Sequence, residues 1–361
     1  MIPRNILANR LPSEPRSTRE RPTKAHTIIA LTLLLLLSVG CSESASSRAT
    51  LNGAGASFPA PVYQAWSYGF SQSNAKIQVN YQSIGSGAGI SQIKSGTIDF
   101  AGTDNPLQNA ELEEFGLKQF PMLTGGVVVI VNLPNLNENT IKLDKQTLAD
   151  IFLGKIQKWN AQEIVALNPE IQLPDLPITI VHRSDSSGTT FLFTQYLSAI
   201  SPEWKEKVGE GASVKWPVGV GGQKNPGVCN NVSKIAGSIG YTEYTYAVEA
   251  KLACADLENA DGKIVSPSLD TFQAAATNAD WSAPGFLTPL SNQPGEKSWT
   301  IVGVTYILVR SDTPEEKLAD LKAYFQWCFE SGGTSALKLH YVPIPQEVAE
   351  KILESINNTS R

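Results

Sequence analysis

Residues 53–61 read Gly-Ala-Gly-Ala-Ser-Phe-Pro-Ala-Pro and lead directly into the mostly apolar segment 62–66. Within this stretch a small hydroxyl residue, Ser57, stands among glycines where a strand or loop gives way to a helix. Serine is a preferred N-cap residue, and proline is tolerated in a first helical turn. The stretch therefore predicts a glycine-rich loop that opens a helix, with Ser57 as the N-cap.

Two further segments repeat this local design. Residues 85–89 (Gly-Ser-Gly-Ala-Gly) follow a strand that ends near Tyr81 and precede a helix. Residues 183–190 (Arg-Ser-Asp-Ser-Ser-Gly-Thr-Thr) follow the strand 178–181 and precede a helix that starts at Phe191. The chain therefore carries three loops of one type.

Such loops are suited to hold a tetrahedral oxyanion. A helix N-terminus offers unpaired N–H groups and a partial positive charge, a nearby hydroxyl adds a donor, and glycine lets the backbone approach the ligand. For any single loop a plain capped helix start is the simpler interpretation, but three in one chain favour an anion site. Arg183 adds a full positive charge and a planar fork that fits two oxygens of phosphate or sulfate. A surface ion pair with Asp185 is its alternative role, and both roles hold if Asp185 orients the guanidinium.

Asp104 lies in a turn-forming stretch, residues 99–106, between the second and third loops. By itself it is typical of a turn or N-cap residue. In an anion site it becomes useful if the ligand carries a proton, because an ionised carboxylate only accepts hydrogen bonds and phosphate has an O–H to donate. Sulfate at neutral pH has none, so Asp104 favours phosphate.

The first forty residues indicate an export signal. Six basic residues between Arg4 and Lys24 precede the apolar run 28–37, which is shorter than a membrane span of roughly 20 residues and ends at small residues that suit a signal peptidase. Residues 37–41 (Leu-Ser-Val-Gly-Cys) look like a bacterial lipobox, with Cys41 as the lipidated first residue of the mature chain. Simple secretion is the alternative. Residues 42–47 are small and polar, as expected of a flexible tether.

The chain without this leader is acidic. Residues 1–40 hold 6 of the 29 basic and 2 of the 34 acidic residues, so 23 basic and 32 acidic residues remain, a formal charge of −9. No basic stripe is present, which argues against nucleic acid or anionic lipid as a partner. Three cysteines remain after Cys41, without CxxC or Cys/His spacing, so no metal site is predicted. Either Cys229 pairs with Cys254, or both stay separate thiols like Cys328.

Short strand-like runs alternate with helical segments in the rest of the chain, as expected for α/β domains, and the length suits about two of them. The patterns predict strands at 77–81, 127–131, 178–181 and 299–309, and helices at 110–119, 148–152, 161–167, 191–200, 314–330 and 346–357. Residues 215–228, rich in glycine and proline, are predicted to be the longest loop, either functional or merely exposed.

Over nearly everything after residue 50, the chain resembles the periplasmic phosphate-binding protein of the phosphate-specific ABC transporter. That family's motifs are similar to residues 53–63, 81–86 (Tyr-Gln-Ser-Ile-Gly-Ser), 98–100 (Ile-Asp-Phe) and 187–189 (Ser-Gly-Thr), and outside the predicted site to residues 150–156, 214–217 and 239–241. Two positions differ from the family pattern. Ser57 stands where threonine is common, and residues 87–89 (Gly-Ala-Gly) replace serine-glycine-glycine. Neither change removes a donor.

The resemblance implies a ligand set that includes each position found from the residues alone. The implied phosphate ligands are Ser57, Phe58 through its N–H, Ser86, Asp104, Arg183, Ser187, Gly188 through its N–H, and Thr189, with Asp185 in support. The implied fold is α/β, a two-lobed type II periplasmic binding protein with the ligand cleft between the lobes. Its expected parts are a signal peptide at 1–40, a lipidated tether at 41–50, lobe I at 51–125 plus 302–361, and lobe II at 126–301.

The function implied by the resemblance is capture of inorganic phosphate and its delivery to the permease subunits of an ABC importer. The expected location is the periplasmic side of the bacterial cytoplasmic membrane or the cell surface. The membrane would then be a partner through the lipid anchor only.

A phosphatase is the main alternative from another class, but its chemistry is missing from the sequence. After the leader there are only His182 and His340, and no Gly-x-Ser-x-Gly, HExxH or carboxylate cluster with metal-ligand spacing. His182 neighbours Arg183 on a strand, so its side chain is expected on the opposite face. No nucleotide-binding motif is complete. The sequence thus predicts a binding protein without a cofactor, not an enzyme. A sulfate or molybdate binder of the same fold is the nearer alternative, and Asp104 argues against it.

Overall fold

Strands and helices alternate from Ala49 to Asn357 in the computed structural model, which describes residues 48–134, 136, 140–281, 287 and 289–357. The predicted leader, Cys41 and the tether up to residue 47 lie outside the described residues. The strands are β1 Ala49–Gly55, β2 Ile77–Ser83, β3 Phe100–Thr103, β4 Leu117–Asn132, β5 Lys142–Leu143, β6 Thr179–Arg183, β7 Val220–Gly222, β8 Ser238–Glu243, β9 Ala253–Cys254, β10 Asp256–Glu258, β11 Ile264–Val265, β12 Val302–Arg310 and β13 Val342–Pro343. The helices are α1 Ala60–Ser73, α2 Ser86–Lys94, α3 Asn109–Glu114, α4 Lys145–Phe152, α5 Gln162–Leu167, α6 Gly188–Ile200, α7 Pro202–Lys207, α8 Lys224–Lys234, α9 Tyr244–Glu249, α10 Leu269–Thr277, α11 Glu315–Ser331, α12 Gly333–Lys338 and α13 Gln346–Asn357.

Most strands join one sheet in the order β2-β1-β3-β12-β4-β8-β6-β7, with β9 and β13 paired to β4 beside this path. At one end β1 runs parallel to β2 and β3, and at the other end β6 runs parallel to β7 and β8. In between, β4 is antiparallel to both β12 and β8. A small second sheet has the order β11-β10-β5.

The long strand β4 belongs to both halves of this sheet. Its first part pairs with β12, from Leu117↔Arg310 to Gly126↔Val302, and its second part pairs with β8 from Val127↔Glu243 onward. Every residue from 120 to 131 is buried. A strand covered on both faces is apolar without alternation, which explains why residues 127–131 read as a buried strand. The two halves therefore share one strand and meet where its partner changes, between Gly126 and Val127.

The predicted helix at 110–119 is wrong in its second half. The helix α3 ends at Glu114, Gly116 takes a positive φ of 59°, and β4 begins at Leu117. Glycine adopts this left-handed conformation without a steric penalty, so it ends the helix and redirects the chain.

The stretch 215–228 is not one loop. It contains β7, which pairs with β6 at the edge of the sheet, and the first residues of α8. A methyl group on Gly222 would lie 2.7 Å from the backbone nitrogen of Val228, so glycine is what permits this close packing of strand against helix.

The helix predicted at 346–357 has those bounds in the structure, and the other predicted elements are present with shifted ends. The helix predicted from Phe191 begins at Gly188, because Ser187 caps it, and the strand-like run 299–309 becomes β12. Cys229, Cys254 and Cys328 are free thiols. No helix of the described residues is long and apolar enough to cross a membrane.

Candidate functional site

Four loops that follow strand ends form one buried cleft. They follow β1, β2, β3 and β6, and the carboxyl ends of parallel strands are where α/β sheets usually bind ligands. All eight predicted ligand residues are buried: Ser57, Phe58, Ser86, Asp104, Arg183, Ser187, Gly188 and Thr189. The loops also touch each other, since the Gly87 N–H donates to the carbonyl of Ser186 (3.2 Å). The structure thus brings the predicted set together.

Ser57 is not the N-cap of α1. That position belongs to Pro59, and the Ser57 hydroxyl oxygen instead accepts from the backbone N–H of Asn225 (3.4 Å). The Tyr246 hydroxyl donates to the Ser57 carbonyl at 2.6 Å. Because a trans peptide points its carbonyl and N–H in opposite directions, this bond fixes the direction of the Phe58 N–H. The tertiary partners therefore orient both predicted donors of the first loop.

Two predicted ligands pair with each other across the cleft. The backbone N–H of Gly188 donates to the Ser86 hydroxyl oxygen at 3.0 Å. A methyl group on Gly188 would lie only 2.5 Å from the Cβ of Asp104, so glycine is required for this approach. Ser187 caps α6 by accepting from the Thr190 N–H (3.1 Å), which leaves its own hydroxyl hydrogen to donate.

Arg183 is held rigidly by Asp185. The Nε and Nη2 groups donate to the two carboxylate oxygens at 2.8 and 2.6 Å, and only 1% of the Arg183 side chain is exposed. Burial alone would raise the pKa of Asp185, but the hydrogen bonds and charge of Arg183 lower it overall. Of the two roles predicted for this pair, the geometry excludes a surface ion pair and fits an orienting one. Nη1 is left facing Thr189 (Oγ1 at 3.4 Å) and Asn225 (Oδ1 at 3.3 Å).

Asp104 has a buried carboxyl oxygen that receives no hydrogen bond from the described residues. Its side chain is 1% exposed, and its Oδ1 has no hydrogen-bond partner among the described residues. Burial raises the pKa of this carboxyl to about 7, against the opposing effects of a hydrogen bond from Thr305 and the charge of Arg183. Buried polar atoms are nearly always paired, so this oxygen is suited to a ligand that brings a hydrogen.

A buried carboxylic acid, Glu243, supports the first loop from behind. The Tyr341 hydroxyl lies 2.6 Å from the Phe58 carbonyl oxygen and 2.9 Å from Oε2 of Glu243. One hydroxyl hydrogen cannot serve both acceptors at once, so a protonated Glu243 completes the set. Burial raises the pKa of Glu243 to about 8, partly offset by hydrogen bonds from Thr245, Tyr341 and Tyr246.

Sequence reasoning missed two residues that contact the site. Asn225, fully buried, touches both Ser57 and Arg183 and lies in the stretch that was predicted to be a loop. Tyr241 lies behind the third loop: its hydroxyl accepts from the Arg183 N–H (3.1 Å) and contacts Oγ1 of Thr190 (2.7 Å). For Asn225, the signal in the sequence was the alternative that the stretch 215–228 is a functional loop. For Tyr241, it was the similarity of residues 239–241 to a motif of the family.

The two histidines of the described residues contact aromatic rings. His182 stacks on Trp216 with the ring centroids 4.9 Å apart, and His340 contacts Tyr244. Within the described residues no three His, Cys, Asp or Glu side chains are grouped so that they could hold a metal ion.

This fold and cleft are those of a solute-binding protein, and comparison with known proteins agrees. A family model described as a PBP superfamily domain matches residues 41–331. The phosphate-binding protein PstS of Xylella fastidiosa (strain Temecula1) is 49% identical over 314 residues, which is 86% of each chain. The PstS of Pasteurella multocida (strain Pm70) is 48% identical, over 84% of this chain and 88% of its own.

A solved structure supports the fold. An ABC-type phosphate transport receptor from Vibrio cholerae aligns with a TM-score of 0.54 and 20% identity, covering 82% of this chain and all of that one. The α/β, two-lobed type II periplasmic binding protein fold is thereby confirmed. The chain belongs to the PBP superfamily and, within it, to the PstS family of phosphate-binding proteins.

Proposed function

We propose that the protein binds inorganic phosphate in this cleft and delivers it to the permease subunits of an ABC importer. The observation that carries the proposal is Oδ1 of Asp104, a buried acceptor without a partner in a site otherwise rich in donors. Phosphate supplies both kinds of group, because in its monobasic and dibasic forms it has bare oxygens and at least one O–H. The family of the chain and the names of its relatives support the same ligand.

The donors divide into one charged group and several neutral ones. Arg183 offers Nη1, whose present contacts with Thr189 and Asn225 are long at 3.4 and 3.3 Å. The neutral donors are the hydroxyls of Ser57, Ser86, Ser187 and Thr189. The backbone adds the N–H of Phe58, and it adds that of Gly188 once this group leaves the Ser86 hydroxyl to which it donates in this structure. Because Asp185 occupies the other side of the guanidinium, the arginine is oriented before the ligand arrives and little rotamer freedom is lost on binding. The N-termini of α2 and α6 add partial positive charge at Ser86 and Gly188.

The ligand lies between two lobes in this proposal, 51–125 plus 302–361 and 126–301. The change of partner along β4 between Gly126 and Val127, and the start of β12 at Val302, support these boundaries. The ligand residues are then split, with Ser57, Phe58, Ser86 and Asp104 on one lobe and the Arg183–Thr189 segment on the other. Phosphate would hold the lobes together and hinge bending would release it.

The protein acts in this proposal as a binding protein rather than a phosphatase. Both histidines of the described residues are engaged with aromatic rings, and Ser57, Ser86 and Ser187 have no histidine partner that could activate them. Sulfate or molybdate remains the nearer alternative ligand, and the unpaired acceptor of Asp104 speaks against both.

Calorimetric titration of the leader-free protein, first with phosphate and then with sulfate, tests the proposal. We expect one phosphate site per chain and far weaker sulfate binding at about pH 8.5, where the carboxyl of Asp104 is ionised. Absence of binding heat with phosphate, or equal affinity for sulfate, would overturn it.

We further propose that the protein works outside the cytoplasmic membrane, held there by lipid on Cys41 after removal of residues 1–40. The lipobox-like residues 37–41 and the short apolar run before them support this. The tether from residue 41 would let the binding domain reach the permease while it stays near the membrane.

A further inference from the structure

Asn225 forms hydrogen bonds with two predicted phosphate ligands, Ser57 and Arg183, without being a predicted ligand itself. It is the second residue of α8, and its side chain is fully buried. Its backbone N–H donates to Oγ of Ser57 at 3.4 Å, and its Oδ1 accepts from Nη1 of Arg183 at 3.3 Å. Both distances exceed the usual N–H···O range of about 2.7–3.2 Å, so both hydrogen bonds are weak.

The contact with Arg183 fixes which way the Asn225 amide points. A guanidinium only donates, so the oxygen of the amide must face it and the amino group must point away. That amino group, Nδ2, has no hydrogen-bond partner among the described residues. Two N–H donors are therefore buried without an acceptor, which is rare in folded proteins.

The unpaired donor matches the unpaired acceptor of Asp104. Both groups are linked to Arg183, whose charge opposes the rise in the pKa of Asp104 and whose Nη1 contacts Asn225. One protonated tetrahedral oxyanion satisfies both, because its O–H donates to Asp104 and a bare oxygen accepts from Nδ2.

We propose that Asn225 is a ninth phosphate ligand, which donates through Nδ2 to a phosphate oxygen while its Oδ1 accepts from Nη1 of Arg183. The proposal rests on the proposed function. Because Nδ2 of Asn225 would only donate to the ligand, it contributes equally to any bare oxygen and does not distinguish phosphate from sulfate. Its role is therefore separable from that of Asp104, which acts on the choice between the two ions.

The direct test is the side-chain amide signal of Asn225 in a ¹H–¹⁵N NMR spectrum of the leader-free protein, assigned by its absence in Asn225→Asp. On saturation with inorganic phosphate we expect a downfield shift of one Hδ2 proton and a nitrogen–phosphorus coupling across the hydrogen bond. A residue that only positions Arg183 would show neither signature.

Binding constants give the second readout. Asn225→Ala should weaken phosphate and sulfate by the same factor, about 10- to 100-fold, because a hydrogen bond to a charged group is lost. Asn225→Asp should bind phosphate more weakly still, since a carboxylate oxygen replaces the donor. The matched control is Asn230→Asp, which adds the same charge at an exposed position of the same helix and should change affinity by less than about twofold. Thermal unfolding of each variant shows that it is folded.

The two proposals fail in different ways. If the parent protein binds no phosphate, the proposed function fails. If the parent binds phosphate but the Asn225 amide signal does not respond, or Asn225→Ala binds within about twofold of the parent, then Asn225 is not a ligand and the function stands.

Discussion

Replacing Asp104 with asparagine should collapse the preference for phosphate over sulfate. Asp104 is 1% exposed and its Oδ1 is unpaired, so an ionised carboxylate there meets only lone pairs and like charge when sulfate enters. Sites built to bond a particular O–H reject analogues that lack it by roughly 10⁴-fold. Asparagine removes the charge, adds N–H donors for sulfate, and keeps an oxygen that accepts from phosphate. The ratio of the two dissociation constants should therefore fall much more than phosphate affinity does.

The raised pKa of Asp104 adds a pH dependence to this selectivity. With a pKa of about 7, the carboxyl is ionised above that pH and protonated below it, where its O–H can donate to sulfate. Sulfate is the suitable probe because it stays fully ionised over the whole range. Its affinity for the parent protein should fall by up to about tenfold for each pH unit above 7 and should level off below about pH 6, where the carboxyl is already protonated. The Asp104→Asn variant has no such group and should bind sulfate equally at about pH 5.5 and about pH 8.5.

Competition calorimetry at fixed ionic strength measures both constants for parent and variant. Asp256→Asn is a matched control, because Asp256 is also buried but lies on β10, away from the four loops of the cleft. A variant that still excludes sulfate as strongly as the parent, or a parent whose sulfate affinity is flat across this pH range, would refute the reasoning.

Three further predictions follow from the same structure. Arg183→Ala should weaken phosphate binding by on the order of 2–5 kcal/mol, and Arg183→Lys should recover only part of that loss. Arg310→Lys is the control, because Arg310 lies outside the cleft and donates to Asp312 at 2.8 and 2.6 Å, as Arg183 donates to Asp185. The pKa of Glu243 is about 8 in the folded protein, against 4.5 for an ordinary glutamate in the unfolded chain, so the free energy of unfolding should fall as pH rises between these values, by up to about 1.4 kcal/mol per pH unit. Denaturant titrations should show a flatter dependence of stability on pH for Glu243→Gln but not for the exposed control Glu249→Gln. Cys41→Ser should leave the leader uncleaved or release the protein from bacterial membranes, and normal processing with unchanged membrane retention would contradict lipid anchoring.

The sequence predicted the cleft well where function depends on residues close together in the chain. The loops at 85–89 and 183–190 open helices as expected, and the Arg183–Asp185 pair is two residues apart, so its geometry is largely local. Local rules failed at Ser57, since the hydroxyl that could cap α1 is instead engaged by Asn225, which is 168 residues away.

Asn225 and Glu243 could not have been predicted by the same reasoning. Asn225 is buried because β7 pairs with β6 and places α8 against the cleft. The glycine-rich residues 219–222 lack the apolar alternation that predicts a strand, so this pairing could not be inferred from the sequence. Glu243 looks like an exposed acid at the end of β8, and its burial depends on Tyr341. Contacts between residues about 100 or more positions apart depend on the order of the strands in the sheet, and the hydrophobic periodicity of the sequence does not predict that order.

The place of β12 in the sheet has a consequence for how the chain acquires its structure. This strand lies between β3 and β4 and starts at Val302, whereas both of its neighbours are complete by residue 132. Until those late residues have been synthesised, β3 and β4 have no strand to join them, and the sheet that aligns the binding loops cannot close. Pairings over such separations form slowly because the entropy of the long intervening loop must first be overcome. A growing chain of this design therefore stays incompletely folded until most of it has left the ribosome, a condition that favours threading through a translocation channel over premature folding.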